Sequence, residues 1–175
     1  GKITELDQTW IYDPVPDFTY GFNIYLEYKN FDFTAFFQGV QGVDIISDLK
    51  KETDIWAGLN IGNLNKGHRL LNAWCVDNPS SNIPAVTLSD NNNEKRVSTY
   101  WVENGSYLKL RTIQLGYNLP QNIVSKLSMQ RLRMYVSAQN LFTIKSSSFT
   151  GVDPENPNYG YPIPLNITFG LNVTF

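Results

Sequence analysis

The final eleven residues of the chain alternate, without an exception, between apolar and polar or small side chains. Because successive side chains of a β-strand point to opposite faces, residues 165–175 are predicted to form a strand with one apolar and one polar face. A soluble sheet can contain such a strand, but the pattern also suits a strand with lipid on one side and a polar lumen on the other. The apolar members are Leu165, Ile167, Phe169, Leu171, Val173 and Phe175.

The sequence stops on the aromatic residue of this segment, with no polar tail after it. Outer-membrane proteins use a terminal strand of this kind as an assembly signal. In that signal a polar residue is followed, at set spacings, by glycine, a hydrophobic residue and a final aromatic residue. The positions that fit the arrangement are Thr168, Gly170, Val173 and Phe175.

Four further segments show the period of two residues that predicts a half-buried strand. A connection of only two residues joins the first two of them, which predicts a hairpin. With the terminal segment they give five strands, too few to close a barrel, since about eight strands are the practical minimum. We therefore expect an all-β fold in which this chain supplies about five C-terminal strands of a larger antiparallel transmembrane β-barrel. The four segments are 18–28, 31–41, 106–119 and 131–144.

The strand predicted at 106–119 changes the parity of its apolar positions, from even numbers at its start to odd numbers later. A β-bulge near Arg111 and Thr112 would exchange the two faces at that point. Alternatively, Lys109 and Arg111 point outward above the bilayer, at the level of the lipid phosphates. The sequence leaves both explanations open.

The connections between the predicted strands differ in length: two residues, then roughly sixty, about ten and about twenty. Outer-membrane barrels have short turns on the periplasmic side and long loops outside. If the assembly signal places residue 175 on the periplasmic side, both long connections, 43–104 and 145–164, are extracellular loops. A soluble β-sandwich imposes no such rule on its connections.

The composition suits a membrane barrel and argues against several other classes. The chain of 175 residues has ten Phe, ten Tyr and four Trp, and its net charge of -2 creates no field that would attract nucleic acid. No stretch approaches the ~18 consecutive apolar residues of a membrane helix. The single cysteine, Cys75, excludes an internal disulfide and a cysteine-pair metal site. The chain begins at Gly1 without a signal peptide, so we expect it to be part of a larger exported protein.

Several runs of residues resemble motifs of SusC/RagA-type TonB-dependent transporters, in the same order along nearly the whole chain. The run NGSYLKLRTIQLGYNLP at 104–120 is similar to that family's GSYLRLKNLTLGYTLP, and LRMYVSAQNLF at 132–142 is similar to its LRVYVSGQNLF strand. One departure is Leu165, where the family usually has arginine. Further matches are PDFTYGF at 16–22, YKNFDF at 28–33, TGVDPE at 150–155 and YPIP at 161–164.

The resemblance implies a barrel of about 22 strands with an N-terminal plug. It places the protein in the outer membrane of a Gram-negative bacterium, which the chain crosses many times. It also implies import of glycans or oligopeptides, a SusD-like surface lipoprotein that acts as a lid, and energy supplied by TonB through an N-terminal part that is missing here. The barrel assembly machinery and outer-membrane lipid are further expected partners, whereas nucleic acid is not.

Five aromatic residues fall in or beside the predicted outer loops. Their faces could stack on sugar rings or hold a lid protein. Packing of the long loop against itself explains them equally well. The five candidates are Trp56, Trp74, Trp101, Tyr159 and Tyr161.

Two arginines lie at the predicted periplasmic end of the strand 131–144. The alternation places Arg131 and Arg133 on the face that we expect to line the lumen. There they could pair with acids of the plug, although solvation alone would also explain them.

The chain shows no catalytic constellation, so we do not expect an enzyme. His68 is the only histidine, which excludes a multi-histidine zinc site and a two-histidine iron site. We expect it to be an ordinary residue of a short loop helix, because residues 59–74 have helix-like apolar spacing. No cofactor is expected, with one alternative open: DPENPN at 153–158 could offer oxygens to Ca²⁺. A turn rich in Pro and Asn is the simpler explanation of that run.

Transport is the first of three functional hypotheses. The alternative is a surface or secreted β-sandwich binding module without transport activity. A glycan-acting β-sandwich enzyme would need two carboxylates at a fixed separation, and the sequence shows no such pair. Extraction separates these classes, because a barrel needs detergent and a sandwich does not.

Overall fold

The computed structural model describes residues 4–54, 66–87, 96–157 and 160–175. The chain divides into two compact units, each assembled from three separate stretches. We call them the sheet unit (Pro16–Gly42, Ser106–Ser146 and Pro162–Phe175) and the loop unit (Gly1–Val15, Val43–Gly105 and Ser147–Tyr161).

The sheet unit contains a five-stranded antiparallel sheet. Its five strands begin and end within one residue of the bounds expected from the sequence period. The prediction of antiparallel β structure is therefore confirmed, while closure into a barrel stays a prediction. Among the described residues the strands are β1 (Phe18–Tyr28), β2 (Phe31–Gln41), β3 (Asp44–Ile46), β4 (Val102–Asn104), β5 (Tyr107–Asn118), β6 (Arg131–Lys145) and β7 (Asn166–Thr174). The order of the strands in the five-stranded sheet is β1-β2-β5-β6-β7.

Short connections join the strands at one end of the sheet. Tyr28 pairs with Phe31 across a two-residue turn in which Lys29 adopts a left-handed conformation, with φ of 53°. The second short connection, predicted only as a turn, contains the helix α2 (Gln121–Val124) and a 3-10 helix at Ser125–Leu127. The two long connections leave the opposite end of the sheet, which agrees with the alternation of lengths in the sequence.

The two faces of the sheet differ in chemistry. Cross-strand partners share a face, so the register extends the alternation of each strand over the whole sheet. On the apolar face the rings of Phe22 and Phe37 stack with their centroids 4.8 Å apart. Much of this face is exposed, as Phe169 at 81% and Leu171 at 66% illustrate. The opposite, polar face has mostly hydroxyl, amide and charged side chains.

The parity change within β5 is a bulge. The pairing of β5 with β2 and its pairing with β6 both shift at Arg111. The Nε of Arg111 donates to Oε1 of Gln38, a polar-face residue, over 2.8 Å. The alternative in which Lys109 and Arg111 point outward is wrong, because Lys109 is fully buried and Arg111 bonds on the polar face.

The loop unit contains the long loop (43–105) and the second loop (147–161). Strand β3 pairs with β4, and the helix α1 (Asp48–Asp54) follows β3. In the described part of this unit, 3-10 helices lie at Glu5–Asp7, His68–Asn72 and Thr99–Trp101.

In the described part of the loop helix predicted at 59–74, the chain forms the 3-10 helix His68–Asn72, on which His68 is exposed. Residues 59–65 of that prediction lie outside the described residues. Within the described ranges, no helix combines the length and the apolar character that crossing a membrane requires.

Candidate functional site

Two carboxylates of the loop unit are almost completely buried. Glu103, in β4, is 2% exposed, and Asp54, at the end of α1, is 3% exposed. A carboxylate that is withdrawn from water must find partners that replace its hydration. The partners of these two residues therefore show how the loop unit is held together.

Glu103 connects the long loop to the second loop. Its Oε1 lies 3.0 Å from the Nζ of Lys50 and accepts a hydrogen bond from Oγ1 of Thr150 over 2.6 Å. Its Oε2 accepts the backbone N–H of Thr150 over 3.0 Å. The Oγ of Ser47 lies 3.4 Å from Oγ1 of the same threonine. One carboxylate thus holds two segments that are distant in sequence.

Asp54 holds the long loop against itself. Its Oδ2 pairs with Nη2 of Arg69 and accepts the hydroxyl of Tyr100 over 2.5 Å. Its Oδ1 accepts Oγ1 of Thr53 over 2.8 Å. Burial, and secondly the hydrogen bond to Asp54, raise the pKa of Tyr100 above its usual value. The tyrosine therefore stays a neutral donor over the physiological range.

The same tyrosine links the two carboxylates. Its backbone carbonyl accepts Nζ of Lys50 over 2.8 Å, and that ammonium also lies 4.9 Å from the centroid of its ring. Glu103 and Asp54 are therefore connected through Lys50 and Tyr100 into one polar network.

The candidate aromatic residues of the outer loops differ in how far their side chains are exposed. Trp101 is 1% exposed, and its indole N–H donates to the carbonyl of Arg96 over 2.7 Å, so the packing explanation describes this residue. Trp74 is 46% exposed and Tyr161 is 95% exposed, which leaves their rings accessible. Trp56 and Tyr159 lie outside the described residues. A contact with substrate or partner stays a prediction for these residues.

The polar face carries an ion pair that was not among the predictions from the sequence. Nε of Arg133 donates to Oδ2 of Asp32 over 2.8 Å, and Nη2 donates to Oδ1. This bidentate pair joins β2 to β6 across β5. Arg133 was expected to meet acids of a plug or water, but its carboxylate partner in the structure belongs to this chain. Arg131 donates from Nε and Nη2 to Oδ1 of Asn118, over 3.1 and 2.9 Å.

Gly116 makes room for this ion pair. It lies opposite Asp32 in the register, and a Cβ at its position would overlap the guanidinium of Arg133 and both oxygens of Asp32. The glycine of the LGY run in β5 therefore has a steric reason. The two charges neutralise each other on the polar face.

Two neighbouring rows of the polar face carry no charged side chain. Hydroxyl and amide groups predominate there, and they can exchange hydrogen bonds with a neutral polar ligand, with peptide groups or with water. One row consists of Tyr25, Thr34, Gln114, Ser137 and Thr168, and the other of Asn23, Phe36, Thr112, Gln139 and Asn166.

The residues of the predicted assembly signal lie in or just after β7. Thr168 and Gly170 are on the polar face, whereas Val173 and Phe175 are exposed on the apolar side by 41% and 78%. Gly170 pairs with Tyr135, and a Cβ on Gly170 would overlap the tyrosine ring. The glycine thus has a packing role in addition to its predicted role as a signal.

The DPENPN run forms a turn over its described residues. Oδ1 of Asp153 accepts the N–H of Glu155 over 3.0 Å, and its backbone carbonyl accepts the N–H of Asn156 over 3.0 Å. This is the geometry of an Asx turn. In the part of the chain that the structure describes, no group of three or more His, Cys, Asp or Glu residues is placed to hold a metal ion. Binding of Ca²⁺ stays a prediction.

Sequence reasoning missed Asp32, Asp54 and Glu103. Asp32 was recoverable, because the predicted hairpin places it on the polar face near the same end as Arg133. The other two give no signal, since their partners Tyr100 and Thr150 lie 46 and 47 residues away in segments without period.

No model of a known protein family matches the chain. Curated proteins, however, match it over its whole length. TonB-dependent receptor P3 of Formosa agariphila is 37% identical over 191 residues, which cover 100% of this chain and 18% of the relative. TonB-dependent receptor SusC of Bacteroides thetaiotaomicron is 27% identical over 186 residues, which cover 100% and 17%. The chain thus spans less than a fifth of the length of these relatives.

Solved structures of the RagAB peptide importer also match the chain. Its 'open-open' and 'closed-closed' states each align with a TM-score of 0.76 and 28% identity. Each alignment covers 94% of this chain and 18% of the importer chain. The similarity therefore includes residues of both the sheet unit and the loop unit.

Proposed function

This chain belongs to the SusC/RagA family of TonB-dependent receptors, and from that premise we propose that it is a segment of an outer-membrane importer of glycans or oligopeptides. In this proposal the five strands of the sheet unit cross the membrane. The apolar face of the sheet meets lipid, and the polar face lines the lumen. The loop unit is extracellular.

The observation that carries the proposal is the contrast between the two faces of the sheet. A soluble protein rarely leaves a large apolar surface uncovered, whereas lipid covers such a surface in an outer-membrane barrel. The sheet strands, which range from nine residues in β7 to fifteen in β6, suit this role, since about 9–11 residues cross a bilayer at a tilt.

The proposed partners follow from the family. We propose a SusD-like lipoprotein over the extracellular loops, TonB acting through an N-terminal part of the full protein, and the barrel assembly machinery during biogenesis. We propose both glycans and oligopeptides as substrate classes. One similar solved structure is named as a peptide importer, and the uncharged rows of the polar face suit neutral glycans and peptide groups alike.

Uptake by cells tests the proposal. Cells with and without the full-length gene are given two labelled pools, tryptic peptides of casein and malto-oligosaccharides, with and without a protonophore. We expect gene-dependent uptake of one pool that stops when the proton gradient is removed. Uptake at the same rate without the gene, or without the proton gradient, would contradict energised import.

Extraction tests the membrane assignment separately. The intact mass of the protein from isolated outer membranes is measured under denaturing conditions after detergent extraction. We expect a species far heavier than the 20.0 kDa of this chain, together with a co-purifying lipoprotein. A stable 20.0 kDa species that stays soluble without detergent would instead indicate a β-sandwich binding module.

A further inference from the structure

The polar network of the loop unit is built from parts that lie far apart in the sequence. Thr150 reaches Glu103 across 47 residues, and Tyr100 reaches Asp54 across 46. Lys50 binds both Glu103 and the carbonyl of Tyr100. The network therefore ties the second loop to β4, β4 to α1, and α1 to the rest of the long loop.

Burial makes this network hard to open. The side chain of Glu103 is 1% exposed and that of its partner Lys50 is 12% exposed. Separating the two loops would remove both hydrogen bonds of Thr150 from the Glu103 carboxylate, at a place that water reaches poorly, whereas the pair with Lys50 lies within the long loop and would persist. Removing hydrogen bonds from a buried carboxylate costs more than opening an ion pair at the surface. The geometry resists small displacements as well, because Thr150 binds both carboxylate oxygens of Glu103.

A second observation comes from the two states of the RagAB importer. The chain matches the 'open-open' and the 'closed-closed' structure with the same TM-score and the same coverage. The region that corresponds to this chain therefore aligns with it equally well in either state.

From these observations we propose that the network centred on Glu103 and Asp54 is a clasp that fastens α1, the 3-10 helices at His68–Asn72 and Thr99–Trp101, β4 and the second loop at Thr150 into one rigid body. This inference rests on the proposed function in one respect: in an importer, this body is a fixed support against which other parts open and close. Glu103 is its positioning residue, and Thr150 is the point at which the second loop is fastened.

Hydrogen exchange of the full-length protein in detergent tests the clasp directly. The variant Glu103→Gln removes the charge that Lys50 and Thr150 bind. We expect amide exchange to accelerate by about tenfold or more in peptides from both loops, since a charge-assisted hydrogen bond of this kind affects a local opening equilibrium by that order. The matched control is Asp77→Asn, the same chemical change at an exposed position of the long loop, with exchange as in the wild type.

A second pair of variants keeps the test valid if Glu103→Gln folds poorly. Thr150→Val keeps the shape of the side chain but removes the hydroxyl that donates to Glu103, and Thr150→Ser retains the hydroxyl. We expect faster exchange in the second loop for valine and wild-type exchange for serine. Wild-type exchange in both loops of Glu103→Gln and of Thr150→Val would overturn the proposal.

A disulfide tests whether the body stays fixed during transport. Ser47 and Thr150, whose hydroxyl oxygens lie 3.4 Å apart, are both replaced by cysteine in a Cys75→Ser background. We expect the oxidised protein to take up the pool that the wild type takes up, at a rate within about twofold of the reduced protein. Uptake that stops on oxidation and returns on reduction would show that the loops must separate. If the wild type imports neither pool, the proposed function fails, whereas the exchange experiment still decides the clasp.

Discussion

At the scale of single residues, two glycines determine how the polar face is arranged. Gly116 lies beneath the ion pair between Asp32 and Arg133, and Gly170 lies beneath the ring of Tyr135. In both cases the absence of a Cβ lets a large side chain from the neighbouring strand lie flat on the sheet. The sequence alone showed that these positions are glycine, but not which side chain uses the space.

Replacing Gly116 with alanine should destabilise the sheet. The new methyl group overlaps Asp32 and Arg133, so the ion pair must move or break, and overpacking of this kind costs about 1–3 kcal/mol. Denaturant unfolding of the full-length protein in detergent measures the loss. The control is Gly160→Ala, because a Cβ there meets no atom within 4 Å. Equal stability of the two variants would contradict the steric role.

Tyr100 should make the stability of the loop unit sensitive to alkaline pH. Burial and the bond to Asp54 raise its pKa above the usual 10.0, so the folded state retains a proton that the unfolded chain releases at high pH. The contribution is complete below pH ~10 and is lost as the pH rises through the higher folded value.

Exchange of loop-unit amides at pH ~8 and pH ~11, corrected for the intrinsic exchange rate, measures this effect. We expect Tyr100→Phe to be less stable at the lower pH and to lose the alkaline decline assigned to this hydroxyl. Tyr161→Phe is the control, since Tyr161 is 95% exposed. If the stability of the loop unit falls equally at high pH in the wild type and in Tyr100→Phe, the loss is not due to the Tyr100 hydroxyl.

At the scale of elements, the strands were predictable and the loops were not. The period of two residues located β1 and β2 at their observed ends, because each strand needs only its own alternation to be recognised. The bulge in β5 was visible as a parity change, but only the pairing with two neighbouring strands decided where Arg111 points. Helix α2 was missed because four residues are too few to show a helical period.

The same limit explains the candidate contacts in the loops. Trp101 and Tyr161 look alike in the sequence, as large aromatic residues of outer loops. The structure buries the first and exposes the second, at 1% and 95%. This difference depends on how the outer loops fold, and a local sequence pattern does not predict that fold.

The pairing of β6 with β7 yields a prediction about the assembly signal. In the proposed importer, Gly170→Ala should slow insertion of the full-length protein into the membrane, because the methyl group displaces the ring of Tyr135. If the ring is the reason, adding Tyr135→Ser should restore the insertion rate. If the assembly machinery recognises the glycine itself, the second change will not help. Heat-modifiable migration of the newly made protein on gels measures insertion, with Leu171→Ile as a control on the apolar face.

At the scale of the whole molecule, the connections of the sheet predict its orientation in the membrane. The short connections leave one end of the sheet and both long loops leave the other. In the proposed importer the long loops face the medium, and the connection that contains α2 faces the periplasm.

The exposed Cys75 of the long loop is a natural reporter of this orientation. A membrane-impermeant maleimide added to intact cells should label it, as detected in its tryptic peptide by mass spectrometry. A cysteine placed at exposed Lys126, in the connection that contains α2, should react only after the outer membrane is permeabilised. Labelling in the opposite order would invert the proposed orientation.

The strand order ends at β1 and β7, so within the described part of the chain each of these strands has a neighbour on one side only. The other margin of each presents a row of backbone donors and acceptors in an extended register, which is a template for any further strand. Produced alone, this chain would therefore polymerise through these two margins. When the β7 margin of one copy pairs with the β1 margin of the next, the added copy brings an unpaired margin of its own. The growing end can therefore always accept a further copy. In the proposed importer the same row of groups would pair with further strands, and in this chain alone it would seed an aggregate.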